Sequence, residues 1–269
     1  RDREAHLALV AHGGYGRRDV APFSDVDLMM LLDPGTESQV RPLAQRLTQD
    51  ICDAGLMLGF SLRTPADACQ LALTDATVFT SLAESRFLAG HEPLFTRFLE
   101  RLRRMAARNS RSLIRSIEES RREERHAYGE TNFLLMPNIK RSLGGLRDIQ
   151  LVRWVGFARY GNTSPEVLEG MDAISPEDRR RLRRAQEFLL RLRNELHFHA
   201  GRSQDVLDRQ EQVRLAKLNG YKGDEGLLPV EQFMRDYFHH TSEVKHAMTH
   251  FLAAATARVG VRSLFNSVM

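Results

Sequence analysis

Two cysteines in 269 residues, Cys52 and Cys69, are too few for a disulfide framework or a complete thiolate metal site. No window approaches the roughly 18 uninterrupted apolar residues of a membrane span, so insertion into a bilayer is not expected. No secretory leader opens the chain, and a reducing cytoplasm fits these absences. Neither an internal repeat nor a low-complexity tract is present, which excludes solenoids and disordered linkers as the main architecture. Charge of one sign is scarcely in excess: the net value is +4, too mild to mark a partner by itself. The opening "RDREAHLALVAHGG" runs into an apolar strand without a capped start and reads as cut from something longer.

What is present is the balance of a soluble globular protein, 42% apolar and 28% charged, in a length that suits two domains. The runs "LALVAH" and "DVDLMMLL" predict neighbouring strands. Val40, Leu43, Ala44, Leu47 and Ile51 recur at helical spacing toward Gly55, and Leu56, Leu58, Phe60 and Leu62 alternate as in a half-buried strand. Beyond about residue 65 the strand signals stop. Stripes such as Leu102, Met105, Leu113, Ile114, Ile117 and Leu182, Ala185, Leu189, Leu192, Leu196 predict amphipathic helices with charged outer faces. The expected class is α+β: a small mixed sheet with flanking helices over residues 1–95, then an all-α domain over 96–269.

The chemistry concentrates in "GGYGRRDVAPFSDVDLMMLL", residues 13–32. On a strand, side chains at i and i+2 share a face, so Asp25 and Asp27 project together. Two parallel carboxylates repel each other, and a divalent cation between them relieves that. Hard oxygen ligands at a partly open site favour Mg²⁺, which keeps waters and substrate phosphates in its shell. Gly13 and Gly14 allow the backbone to approach a polyphosphate, Arg17 can contact it, and Ser24 can orient a phosphate or cap a turn. Alone, either fragment is an ordinary turn; the glycine pair, spacer, Asp-x-Asp and apolar strand together form a much narrower pattern.

That pattern resembles the nucleotidyltransferase superfamily that includes DNA polymerase β. More narrowly, it is similar to the catalytic motif of the bifunctional uridylyltransferase/uridylyl-removing family. "SLRT" at 61–64, "DATVFTSLAESRFLAG" at 75–90, "PNIKRSLGGLRDIQLVRW" at 137–154 and "ELHFHAGRSQDVLDRQEQVRLAKLNGY" at 195–221 extend the likeness over nearly the whole chain. The resemblance implies uridylyl transfer from UTP to a tyrosine hydroxyl of a PII-type regulatory protein, with pyrophosphate leaving and Mg²⁺, or Mn²⁺ as a substitute, on Asp25 and Asp27. It also implies a nucleotide or acceptor role for Lys140 and Arg147, with Asp148 expected to fix Arg147 by pairing and Gly144–Gly145 to turn N–H groups toward an anion.

Departures from the family pattern are specific. The superfamily usually supplies a third carboxylate from a later strand, yet the face of Met57, Gly59, Ser61 and Arg63 carries none; Asp53, Asp75 and Glu84 are the nearest substitutes by sequence. Arg18 stands where close relatives usually carry glycine, and Phe60 where they often have histidine. The family's hydrolase and ligand-sensing domains are not visible, and no His-Asp dipeptide occurs. Adenylyl transfer to a protein, a nucleotide-binding regulatory module without turnover, and nucleotide addition to RNA stay open as alternatives.

Histidines invite a zinc reading that the spacing does not favour. His197 and His199, at i and i+2 on a helix, face different ways, and packing or capping is expected. His246 and His250 are an i, i+4 pair, but no metalloprotease acid motif accompanies them, and no metal site is expected there. The arginine-rich helices mix their charge with glutamates and lack interleaved aromatics, so solvated faces are expected and nucleic acid is not.

Overall fold

Period-two alternation gives the second strand two faces with different neighbours, and the whole fold is arranged around that division. The computed structural model describes residues 6–129, 131 and 133–257. The ends of both expected domains, residues 1–5 and 258–269, lie outside the described residues.

Four strands, β1 (Leu7–Ala11), β2 (Val26–Leu32), β3 (Leu58–Arg63) and β4 (Arg86–Gly90), form one mixed sheet in the order β3-β2-β1-β4. β1 pairs antiparallel with β2 and β4, while β2 and β3 run parallel. The parallel pair requires a crossover, and α2 (Glu37–Asp53) supplies it. Met30 and Leu32 point to that side and pack with Val40 and Ala44, joined by Leu7, Leu9, Leu47, Phe60 and Leu62. Met29 and Leu31, with Ala8 and Val10 of β1, face the other way into the main core with Phe79, Leu94 and Phe98. Each such buried apolar side chain contributes about 1.5–3 kcal/mol.

Short helices α1 (Gly13–Arg17), α3 (Pro65–Thr74) and α4 (Ala76–Ala83) complete the first part. Thr64 caps α3 by accepting from the Asp67 N–H, and Asp75 caps α4 by accepting from the Thr77 and Val78 N–H groups. Such caps are typically worth about 1 kcal/mol each. A 37-residue helix, α5 (Glu92–Tyr128), then packs on α3, α4 and β1 and also on α6 (Leu146–Tyr160). α7 (Pro165–Gly170), α8 (Pro176–Ala200), α9 (Arg209–Leu218) and α10 (Pro229–Thr256) follow, with α10 packed against α6, α8 and α9. The architecture is the expected α+β one. Among the described residues no helix is long and apolar enough to cross a membrane.

Three sequence expectations need correction. β4 lies past residue 65, where strand signals had seemed to end; it is a short edge strand whose pairing with β1 shifts register between Leu9 and Val10. Leu43 and Leu56, expected on apolar faces, are 50% and 51% exposed: the sheet face under α2 is filled by Val40, Ala44 and Leu47, and Leu56 lies just ahead of β3 rather than on the strand. Asp148 does not fix Arg147. It is fully buried and held by Arg121 Nε at 2.8 Å, Arg125 Nη2 at 2.9 Å and the Gly144 N–H at 2.7 Å, whereas Arg147 donates to Gln150 at 2.9 Å.

Candidate active site

β2 opens at Val26, so Asp25 sits one residue ahead of the strand and Asp27 is its second residue. Period two puts Asp27 on the same face as Met29 and Leu31, toward the helices rather than toward α2. Two glycines flank its carboxylate. A Cβ on Gly13 would come within 2.6 Å of Asp27 Oδ2, and one on Gly59, its register partner on β3, within 2.7 Å of Oδ1. Gly13 also has φ +55°, so both space and backbone conformation require glycine there. Gly16 is needed for a different contact: an added Cβ would lie 2.0 Å from the Glu84 carbonyl. Arg86 of β4 donates to the carbonyls of Tyr15 and Gly16, which ties the glycine segment to the sheet edge.

Asp25 and Asp27 open onto a cavity of about 300 Å³. Burial, aided by the neighbouring Asp25 charge, raises Asp27 above the usual carboxylate range, with His12 opposing. His12 bridges β1 and α1, donates its main-chain N–H to the Asp27 carbonyl at 3.1 Å and places Nδ1 2.7 Å from Ser81 Oγ. Burial holds its imidazole below the ordinary histidine value. A mutually repelling, partly desolvated carboxylate pair beside open space is a donor set that fits a hard divalent cation.

The same cavity is also lined by cations: Lys140, Arg147 and Arg193, with Arg17 from α1. Asn138 presents Lys140 by accepting the Lys140 and Arg141 N–H groups at 3.1 and 2.8 Å, an Asx turn that precedes α6. Burial, then the charges of Arg193 and Arg147, push the Lys140 ammonium down to about 8 despite Asp205. Arg147 is lowered to about 10, mainly by burial. The Gly144–Gly145 turn takes no part in anion capture: Gly144 N–H is taken by Asp148, and Gly145 N–H by Ser142 O at 2.9 Å. Its glycines are required by packing instead, since a Cβ on Gly144 would lie 2.2 Å from Thr241 O.

Side chains from the helical part lock onto the sheet part around this cleft. Gln186 donates to both Asp19 oxygens at 3.2 and 3.1 Å, and Arg193 reaches Ser24 Oγ at 3.3 Å while held by Asp205 at 2.7 Å. Arg153 clasps buried Glu84 with two bonds of 2.9 and 2.8 Å. His197, fully buried, contacts the Pro22 carbonyl and Asp205, the packing role expected; His199 is exposed beside Glu211.

Gly13, Gly14, Arg17, Ser24, Asp25, Asp27, Lys140 and Arg147, all read from sequence, border this one cavity. None of the three acids considered as a third carboxylate does: Asp75 caps α4, Glu84 is bound by Arg153, and Asp53 ends α2. Among the described residues the remaining acid on the cavity wall is Asp19. Sequence reading did not find His12, Asp19, Ser81, Gln150, Trp154 or Arg193. His12 and Asp19 flank the glycine motif closely enough to have been noticed; the others are brought in by folding alone. Arg18 is exposed and adopts a left-handed φ of 66°.

Residues 111–252 match the family model described as GlnD PII-uridylyltransferase. The chain is 38% identical over 235 residues to the bifunctional uridylyltransferase/uridylyl-removing enzyme of Pseudomonas syringae pv. syringae strain B728a, covering 87% of this chain and 26% of that protein. It is also 38% identical over 232 residues to the protein of that name from Pseudomonas entomophila strain L48, covering 86% and 26%, and 37% identical over 235 residues to that of Pseudomonas fluorescens strain SBW25, covering 87% and 26%. The chain thus spans about a quarter of the length of the curated relatives it matches. With a family model over more than half its residues and a cleft built from the motifs that carry the likeness, the chain belongs to the GlnD PII-uridylyltransferase family.

Proposed function

We propose that this chain performs uridylyl transfer: a tyrosine hydroxyl on a PII-type regulatory protein attacks the α-phosphorus of UTP, the bond to the β-phosphate oxygen breaks, and pyrophosphate leaves. The observation that carries this reading is the meeting, in one cavity, of a carboxylate pair and a half-buried cation cluster whose Lys140 is depressed by burial and then by the charges of Arg193 and Arg147. Such a cluster is unfavourable alone and is relieved by a polyanion. Lys140, Arg147, Arg193 and Arg17 would bind and orient the triphosphate, and Gly14 leaves room for it, since an added Cβ there would meet only the Arg17 side chain at 4.0 Å. Asp25 and Asp27 would hold Mg²⁺, with Mn²⁺ as a substitute. When bound there the metal supplies activation of the acceptor hydroxyl and neutralises charge on the leaving group. His12, itself held by Ser81, donates its main-chain N–H to the Asp27 carbonyl, and side chains from α6 and α8 tie the helical part to the sheet part around the cleft.

The test is incubation with α-labelled UTP or ATP, Mg²⁺ and a PII-type protein. Label on the partner from UTP, absent with Asp25→Asn, is expected. Label from ATP instead would identify an adenylyltransferase. Binding of UTP without transfer would identify a regulatory module, the reading favoured by glycine rather than an acid at position 59.

Lys140 gives a second expectation. Free, it loses its charge as pH rises through about 8; a bound triphosphate pushes that value back up, so affinity falls as pH rises through this window. At about pH 8, binding of UTP should take up roughly half a proton, read from calorimetry in buffers of different ionisation heat. The uptake should vanish near pH 6 and in Lys140→Met. Equal uptake in that variant would remove Lys140 from the triphosphate site.

A further inference from the structure

The i, i+4 histidine pair on α10 lacks an acid nearby in sequence, but the fold supplies one from the first turn of α8. Asp178, His246 and His250 each offer one ligand atom, and these atoms all lie within 4.8 Å of one another. His250 Nδ1 lies 3.9 Å from Asp178 Oδ2, and the two imidazole centroids are 3.9 Å apart. We propose that these three residues form a second metal site, for a divalent transition metal of the Zn²⁺ class, that staples the start of α8 to the later turns of α10.

The donor chemistry separates this site from the cleft. Two imidazoles and one carboxylate suit Zn²⁺ and its neighbours, whereas Mg²⁺ prefers oxygen alone, as at Asp25 and Asp27. A tetrahedral zinc with bonds of about 2.0–2.1 Å sets its ligand atoms about 3.4 Å apart, so the 3.9 Å gap between Asp178 and His250 needs closing by about half an ångström, and the widest separation in the trio, up to 4.8 Å, by more than an ångström. The geometry allows that. Both histidines are exposed and free to turn toward the ion, while Asp178 is buried and already oriented. Its Oδ1 accepts from Arg181 Nη1 at 3.2 Å and its main-chain N–H is bound by Ser175, which leaves Oδ2 for the metal. Three protein ligands leave a fourth position to water. The staple would act on the helix that sends Gln186 and Arg193 to the cleft, but the proposal stands whatever reaction the cleft performs.

The test is calorimetric titration of the purified chain, free of any polyhistidine tag, with zinc chloride in excess Mg²⁺ to occupy the carboxylate pair. Wild type should bind one Zn²⁺ that Mg²⁺ does not displace, and its melting temperature should rise with zinc. Affinity should fall at least about tenfold in His246→Ala, in His250→Ala and in Asp178→Asn. The histidine variants alter exposed side chains, so they report on the site even if Asp178→Asn disturbs the cap of α8. Unchanged zinc affinity in both histidine variants, or zinc displaced by Mg²⁺ in wild type, would overturn the proposal.

Discussion

Replacing Asp27 with asparagine is expected to reduce transfer by about a thousandfold or more while leaving the melting temperature of the metal-free chain unchanged or higher. On the proposed mechanism the loss follows from removing one of the two carboxylates that would hold an ion asked to supply several kcal/mol of transition-state stabilisation, each 1.36 kcal/mol being a factor of about ten. The stability follows from a different sum. Burial, with Asp25 beside it, raises the Asp27 carboxyl above its unfolded value, so the folded state favours the protonated form. Stability tied to this group is therefore present at acid pH and is lost as pH rises through the raised value; asparagine, neutral throughout, does not incur that loss. Thermal melts without metal, alongside the transfer assay, check both halves. Activity near wild type would remove Asp27 from the mechanism, and a large fall in melting temperature would show that it serves mainly as a structural acceptor.

Replacing Asp148 with alanine should have the opposite signature, a collapse of stability. The change leaves Arg121, 3% exposed, without its buried partner and frees the Gly144 N–H. Breaking a buried pair by deleting one member costs about 3–5 kcal/mol. For a chain of this size that lowers the melting temperature by about 10 °C. Transfer should fall as well, because Arg121 also donates to the Ser142 carbonyl in the loop that presents Lys140. Asp148→Asn, which keeps an acceptor for Gly144, should lie between. A cost under about 1 kcal/mol for the alanine variant would show that the surrounding arginines are satisfied elsewhere.

What sequence revealed and what it hid divide along contact range. β2 was legible because its continuous apolar run is local, and so was α8, whose apolar stripe from Leu182 to Leu196 is buried throughout. Asp25, Asp27 and the glycines sit within one short motif, so their convergence needed only the strand period. β4 escaped notice because "RFLAG" is five residues long, follows directly on a helix and carries no alternation. The partnership of Asp148 with Arg121 and Arg125 was hidden because adjacent Arg147 offered an obvious partner, whereas the helix turns the two side chains apart. Ser81 against His12, Arg193 against Ser24 and Asp178 against His250 all join distant segments, and no pattern within one segment encodes such meetings.

The most direct measurement is diffraction at the manganese edge from crystals of this chain grown with Mn²⁺ and a non-hydrolysable UTP analogue. An anomalous peak within about 2.5 Å of carboxylate oxygens of both Asp25 and Asp27, with the triphosphate against Lys140 and Arg147, is the predicted result. Manganese bound away from both aspartates, or the nucleotide seated outside this cleft, would contradict the account.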